Sequence, residues 1–220
     1  MSTSASTVVL WSGGKDAAWA LQTIRSDSNL TTEALLVTVI EGQNTVSVHG
    51  TPLALVRKQA LALRLPLHVM HVPPQPSNAT YEMHFERALG PIRATGVRHV
   101  IAGDIHLDDV REYREALIQR IGMVPIFPLF GQSSDSLSGD IVEAGVRAVV
   151  SSVDTNQLSA EFLGATYDRH FLDRLPESVD PCGENGEFHT FVTEHPAFDS
   201  PVPVEVTGTT GTGRMRYATL

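Results

Sequence analysis

Residues 8–16 read Val-Val-Leu-Trp-Ser-Gly-Gly-Lys-Asp. Val8 to Trp11 form a short apolar run of the kind that makes a buried strand. Ser12-Gly13-Gly14 then supplies a turn. Ala17, Ala20, Leu21 and Ile24 recur at i, i+3, i+4 and i+7, the stripe of one helix face. A strand, a glycine turn and a helix N-terminus together make an anion site. The glycines let the backbone approach a phosphate, and the first helical N–H groups point at it. Ser12 adds a hydroxyl donor and Lys15 a mobile positive charge. The stretch is not a Walker loop, which requires Gly-x-x-x-x-Gly-Lys-Ser/Thr. A bare Ser-Gly-Gly turn is also a common loop, so its context carries the phosphate reading.

The same alternation continues outward. Leu35 to Val39 is an apolar run, followed by a helical stripe at Leu53, Val56, Ala60 and Leu63. Leu67 to Val72 reads as a strand. Past Pro73-Pro74-Gln75-Pro76, Tyr81, Phe85, Ala88, Leu89 and Ile92 form another helical stripe. Val100 to Ala102 is a short strand stopped by Gly103, and Val110, Tyr113, Leu117 and Ile121 mark the next helix. Strand followed by helix, repeated, predicts an α/β fold with a mostly parallel sheet covered on both faces. Ligands of such sheets bind at the carboxyl ends of the strands. Ser12–Asp16 and Gly103-Asp104 both fall there.

Beyond about residue 125 the pattern changes. Pro125 to Phe130 is proline-broken, Ser133 to Gly139 is a polar loop in which Asp135 or Ser136 could cap a short helix, and Ala148 to Val153 reads as a strand. Tyr167 to Leu175 reads as a helix. A boundary near 130 is expected, with a nucleotide-binding part over 1–130 and a smaller α+β part on the substrate side over 131–220.

Composition narrows the function classes. The chain has 220 residues, enough for a sizeable core, and its 42% hydrophobic content is that of an ordinary soluble protein. No apolar run approaches the ~20 residues of a membrane span. Met1 to Thr7 lacks a basic and an apolar region, so a frayed tail is expected rather than a signal peptide. A net charge of −9 disfavours a general nucleic-acid surface. Cys182 is the lone cysteine, which excludes an internal disulfide and fits a cytoplasmic setting. His49, His68, His71, His84, His99, His106, His170 and His195 have no zinc-like spacing as a group and are expected to be structural.

Residues 180–192 read Asp-Pro-Cys-Gly-Glu-Asn-Gly-Glu-Phe-His-Thr-Phe-Val, a turn-rich loop entering a strand at His189 to Val192. Glu184 and Glu187 could bind magnesium, orient an amine or act as a general base, or simply be solvated. Together, Ser12-Gly-Gly-Lys-Asp16 and Gly183-Glu-Asn-Gly-Glu-Phe-His-Thr190 resemble the diphthine–ammonia ligase family, whose second signature is Gly-Glu-x-Gly-Glu-(Phe/Tyr)-x-Thr. Gly103-Asp-Ile-His-Leu-Asp-Asp-Val-Arg-Glu-Tyr-Arg114 matches as well, as do Val153-Asp154 and Phe162-Leu163-Gly164. The resemblance spans roughly residues 7–200. It implies a HUP-type (Rossmann-like) ATP-binding PP-loop domain with a small C-terminal part. The implied reaction is ATP-driven amidation of a carboxylate through an acyl-adenylate, releasing AMP and pyrophosphate. ATP and Mg²⁺ are the implied cofactors. Ammonia or another amine and a small or protein-borne carboxylate are the implied partners, with a homodimer left open.

The roles implied by the resemblance follow the motifs. Ser12, Gly13, Gly14 and Gly103 would cradle the nucleotide, with Lys15 neutralising phosphate charge. Asp16 would hold magnesium, or answer the helix macrodipole. Asp104, at a strand end, would serve nucleotide or metal. Asp109, Arg111 and Arg114 would grip a carboxylate or phosphate, unless they form solvated ion pairs with Glu112 or Glu115. Glu184, Glu187 and Thr190 would face the acyl or amine side, beside Asn185 and His189; His189 could instead pack against the strand.

Ala17 stands where the family often has Ser, which removes one possible phosphate hydroxyl. The Asn185 and His189 variant resembles a short, bacterial-type branch. Bacteria do not make diphthamide, so the mechanism could carry over with a different acid. Two other classes stay open. One is an RNA-modifying PP-loop ATP pyrophosphatase, disfavoured by the missing cysteine pair and the acidic charge. The other is a non-catalytic nucleotide-binding regulator, which leaves Gly183 to Thr190 without a task. For Cys182 a buried bystander role is expected.

Overall fold

A computed structural model describes residues 4–47 and 49–220. Its first sheet is built from β1 (Ala5–Leu10), β2 (Leu30–Ile40), β4 (Leu67–Val72), β5 (His99–Ile101) and β6 (Val124–Ile126), with a short β3 (Thr45–Val46). The strands run β4-β2-β1-β5-β6 and all are parallel; β3 pairs antiparallel with the tip of β2. Helices α1 (Lys15–Arg25), α2 (Leu53–Ala62), α3 (Asn78–Ala94) and α4 (Asp108–Arg120) make the crossovers. The order reverses between β1 and β5. That switch point opens a crevice at the carboxyl ends of the strands, and the fold is the α/β, HUP-type architecture expected.

Side-chain alternation on β1 explains the two-sided covering. Val8 points into a cluster with Leu36, Met70, Phe85, Leu89 and Val100 under α3 and α4. Val9 points the other way, into a cluster with Leu21, Leu35, Val56 and Ile101 under α1 and α2. Leu21 and Leu89 are fully buried, each contributing about 1.5–3 kcal/mol relative to an exposed side chain.

The second sheet is antiparallel. β7 (Arg147–Asp154) carries β9 (Phe188–Glu194) on one edge, and β8 (Thr166–Tyr167) and β11 (Met215–Thr219) on the other, with β10 (Gly208–Thr210) outermost. α5 (Ser134–Glu143) and α6 (Arg169–Arg174) complete this half. Val150, Tyr167, Phe171, Phe188 and Val192 belong to the same hydrophobic cluster as Val9 and Leu21. The two sheets therefore share one core.

Several local expectations are corrected. β1 begins at Ala5, so Ala5 to Thr7 are strand, with Thr7 fully buried, rather than frayed tail; Met1 to Thr3 lie outside the described residues. Val124 to Ile126 forms a strand in spite of Pro125. It lies at the sheet edge, paired only with β5, where a proline without an N–H is tolerated. Ser133 is the N-cap of α5, and Asp135 lies in its first turn. Tyr167 pairs in β8, and α6 starts only after Asp168, whose carboxylate accepts the Phe171 N–H at 2.8 Å. The β10–β11 hairpin carried no recognised alternation.

Candidate active site

The glycine turn after β1 is held from three sides. Gly13 has φ +83°, a conformation that L side chains rarely adopt, and an added Cβ would lie 2.8 Å from Gln59 Oε1. Gln59, on α2, is fully buried and makes three hydrogen bonds. It accepts the Trp11 indole N–H at 3.0 Å and donates to the Gly13 carbonyl at 3.0 Å and the Val192 carbonyl at 2.7 Å. From the second sheet, Val192 N–H donates to the Gly13 carbonyl at 2.9 Å. Thr190 Oγ1 accepts the Lys15 N–H at 3.1 Å. Gly103, after β5, closes the third side, where an added Cβ would sit 2.9 Å from the Asp16 carbonyl. The absence of a side chain lets the α1 N-terminus pack onto the end of β5.

Lys15 is not the mobile cation its position suggested. Its side chain is buried, at 1% exposure. Nζ donates to both Asp16 oxygens, at 2.9 and 3.1 Å, and to the Cys182 carbonyl. It lies 5.5 Å from the Tyr167 ring centroid and 5.4 Å from that of Phe188. Burial opposes its charge, but Asp16, Cys182 and Glu184 together hold its pKa above the ordinary lysine value. The side chain reaches under the turn and ties α1 to the loop before β9.

A cleft of about 630 Å³ opens at the switch point. Ser12, Asp16, Gly103, Asp104, Arg114, Glu184 and His189 line it, with an apolar wall that includes Tyr81, Phe85, Leu107 and Val110. Glu184 is pinned across from the glycine turn. Its Oε1 accepts the Ile105 N–H at 2.9 Å and the His106 N–H at 3.3 Å. Burial raises its pKa against those hydrogen bonds, and Asp16 and Asp104 add to the rise. Asp104 is likewise raised, first by burial, with Arg114 opposing. Arg114 Nε lies 3.2 Å from Asp104 Oδ2, an ion pair in distance but not aligned as a hydrogen bond.

The structure separates residues that the sequence grouped. Glu187 faces away from the cleft. It is buried, and its Oε1 accepts the Asp180 N–H and the Asn185 amide, both at 3.0 Å, so it ties the loop to itself. Asn185 lines a different, open depression with Asp135 and Asp180. Asp109 is exposed, its Oδ1 accepting the Val110 N–H at 2.9 Å. Arg111 stacks on Phe130, 4.3 Å from the ring centroid, so it and Arg114 diverge in spite of their spacing. Thr190 holds backbone and does not line the cleft. His189 does line it, with its ring centroid 4.3 Å from that of His49.

Sequence reading passed over Gln59, took Trp11 only as the end of the apolar strand run and counted His49 among the structural histidines. A glutamine on the buried face of α2, between Val56 and Ala60, was the one available signal. Among the described residues no group of three or more His, Cys, Asp or Glu is arranged to hold a metal ion. Nor is any helix among them long and apolar enough to cross a membrane.

No curated protein matches the chain. The model of the diphthamide synthase N-terminal domain matches residues 5–125, the segment that holds the glycine turn, Asp104 and Arg114. The model of the diphthamide synthase C-terminal domain matches residues 133–213, the segment that holds Glu184 and β9. With the two matches in order along the chain, and their residues meeting at one cleft, this chain belongs to the diphthamide synthase family.

Proposed function

We propose that the chain is an ATP-dependent carbon–nitrogen ligase acting in the manner of a diphthine–ammonia ligase, with its acid substrate open to difference. The observation that supports it best is that Ser12 and Asp16, from the N-terminal half, and Glu184, from the C-terminal half, line a single cleft at the switch point. Residues 1–130 are the ATP side of this reading and residues 131–220 the substrate side. The Ser12 hydroxyl and the N–H groups left over at the turn hold phosphates at the α1 N-terminus, the Gly14 and Lys15 N–H groups being bonded to Ser12 Oγ and Thr190 Oγ1. Asp16 and Asp104, both on the cleft, would hold Mg²⁺, one or two carboxylates being a protein donor set that suits it, and the ion would supply charge neutralisation at the phosphates.

The first step joins a substrate carboxylate oxygen to the α-phosphorus. The bond from that phosphorus to the bridging oxygen breaks, and pyrophosphate leaves with the electron pair. In the second step the amine nitrogen attacks the acyl carbon and AMP departs. Glu184 takes the proton that nitrogen loses. Its raised pKa makes it a better base than an ordinary carboxylate. Arg114, which lines the same cleft and pairs with Asp104, would orient an incoming carboxylate.

Phosphorus NMR tests the reading. Protein, ATP, magnesium and ammonium are incubated with a panel of carboxylates that includes a diphthine-bearing protein. AMP and pyrophosphate appearing with one acid is the expected result. ADP and orthophosphate would remove adenylation.

A further inference from the structure

With Lys15 drawn beneath the turn, the anion site lacks the flexible cation its motif promised. An imidazole stands against the turn instead. His49 Cε1 lies 3.6 Å from the position a Cβ on Gly14 would take. His189 packs against it, and both line the cleft beside Ser12. Neither ring makes a hydrogen bond among the described residues, and His49 Nδ1 is buried without a partner. Both are polar rings with unused hydrogen-bonding capacity, set beside a helix N-terminus.

We propose that His49 and His189 grip the phosphates of the bound nucleotide as a pair and take up a proton as they do so. The pair's role rests on ATP binding at the turn. In the free protein both rings are neutral. Burial, with smaller contributions from His189 and Lys15, lowers the His49 pKa, and burial followed by Lys15 pushes His189 down to about 4. An opposite charge at ~4–6 Å lifts a pKa by about 1–3 pH units. A triphosphate beside the rings therefore raises both pKa values, and brings His189 from about 4 toward the mildly acidic range. The rings stand too close to charge together, so the pair takes one proton and titrates as a unit.

Other groups face the same space. Asp16 comes from α1, Tyr81 from α3, Asp104 from the end of β5, Arg114 from α4 and Glu184 from the loop before β9, while Lys15 acts on the rings from beneath the turn. Tyr217, from β11, packs over Gly50 behind the histidine loop. Asp104 and Glu184 are the competing acceptors, because burial has raised their pKa values too. Any proton uptake must be assigned between carboxylates and imidazoles.

Calorimetry with α,β-methylene-ATP, which cannot be cleaved at the reacting bond, makes that assignment. Binding heats at pH 6 in two buffers of different ionisation enthalpy count the protons taken up. The wild type is expected to gain a fraction of a proton, up to about 0.9, so that affinity falls by less than about tenfold per pH unit as pH rises. Replacing both rings together, His49→Gln with His189→Gln, should abolish the uptake, while Glu184→Gln keeps it. Imidazole ε1 resonances of the wild-type protein, followed by NMR with and without nucleotide, should show the titration midpoint move up on binding, which needs no variant to fold. Uptake that survives both histidine changes, uptake lost in Glu184→Gln, or an unmoved imidazole midpoint would overturn the pairing. An absence of nucleotide binding in the wild type would overturn the ATP reading and this role with it.

Discussion

Replacing Gln59 by Leu should weaken the whole site from a position that never touches a ligand. The substitution conserves volume to a first approximation but removes three hydrogen bonds at once. The Trp11 indole N–H, buried with its ring at 2% exposure, loses its acceptor. An orphaned buried donor costs about 1–3 kcal/mol. The Gly13 carbonyl keeps its bond from Val192 N–H, so the loss there is smaller, about 0.5–1.5 kcal/mol. The short bond to the Val192 carbonyl adds a comparable amount. The expected destabilisation is about 3 kcal/mol, which at this chain length lowers Tm by roughly 6–12 °C. Urea unfolding gives the free energy, and calorimetry with ATP gives the site. Because Gln59 joins the turn to β9, nucleotide affinity should fall with stability. Gln59→Glu keeps an acceptor for Trp11 but loses both donors and adds a buried charge, so it should be worse than Leu. A Gln59→Leu protein within about 0.5 kcal/mol of wild type, binding nucleotide normally, would refute the reasoning that this side chain organises the turn.

Four further outcomes follow from the same geometry. Lys15→Met removes the cation shared by Asp16 and the Cys182 carbonyl; a loss of about 1–3 kcal/mol in urea unfolding should exceed any loss of nucleotide affinity, Asp16 being partly solvated. The two glutamates should separate: Glu184→Gln should slow amide formation and AMP release by on the order of 10²-fold in a normally stable protein that still forms a first equivalent of pyrophosphate, whereas Glu187→Gln, facing the loop interior, should show itself mainly as a lower Tm. Burial holds His195 down to about 4, with Nδ1 accepting the Ala197 N–H at 3.0 Å; the unfolded chain binds this proton first, so stability should be full above about pH 6.5 and fall by up to about 3 kcal/mol on acidification to pH 4, and His195→Gln should flatten that slope in unfolding curves. Burial pushes the Cys182 thiol up to about 12, so iodoacetamide at pH 8 should modify the native protein only at the rate of global unfolding, and rapid alkylation would show the thiol to be open.

The frame of the molecule was readable in the order of its residues, because hydrophobic period reports local structure and short-range packing. Val8 to Trp11 before a glycine turn, then repeated strand and helix, determined a parallel sheet with its ligand cleft at the strand ends. Short elements escaped. β6 was hidden by Pro125, and the β10–β11 hairpin is exposed on β10 and only partly buried on β11, so it lacks the apolar alternation that betrays a half-buried strand.

What each site residue does was decided by contacts across long separations, which local periodicity does not encode. Lys15 and Cys182 are 167 positions apart, yet the lysine's charge is spent on that carbonyl and on Asp16. Glu184 and Glu187 are neighbours in one glycine loop, but the backbone turns one carboxylate to the N–H groups of Ile105 and His106 and the other to Asp180 and Asn185. Gln59 reads as a break in an apolar stripe until β9 and the turn close on it. The sequence by itself determined which groups could do chemistry and roughly where the sheet would gather them. Only the packing of the second sheet on α1 decided which charges are neutralised in the interior and which are left facing the cleft.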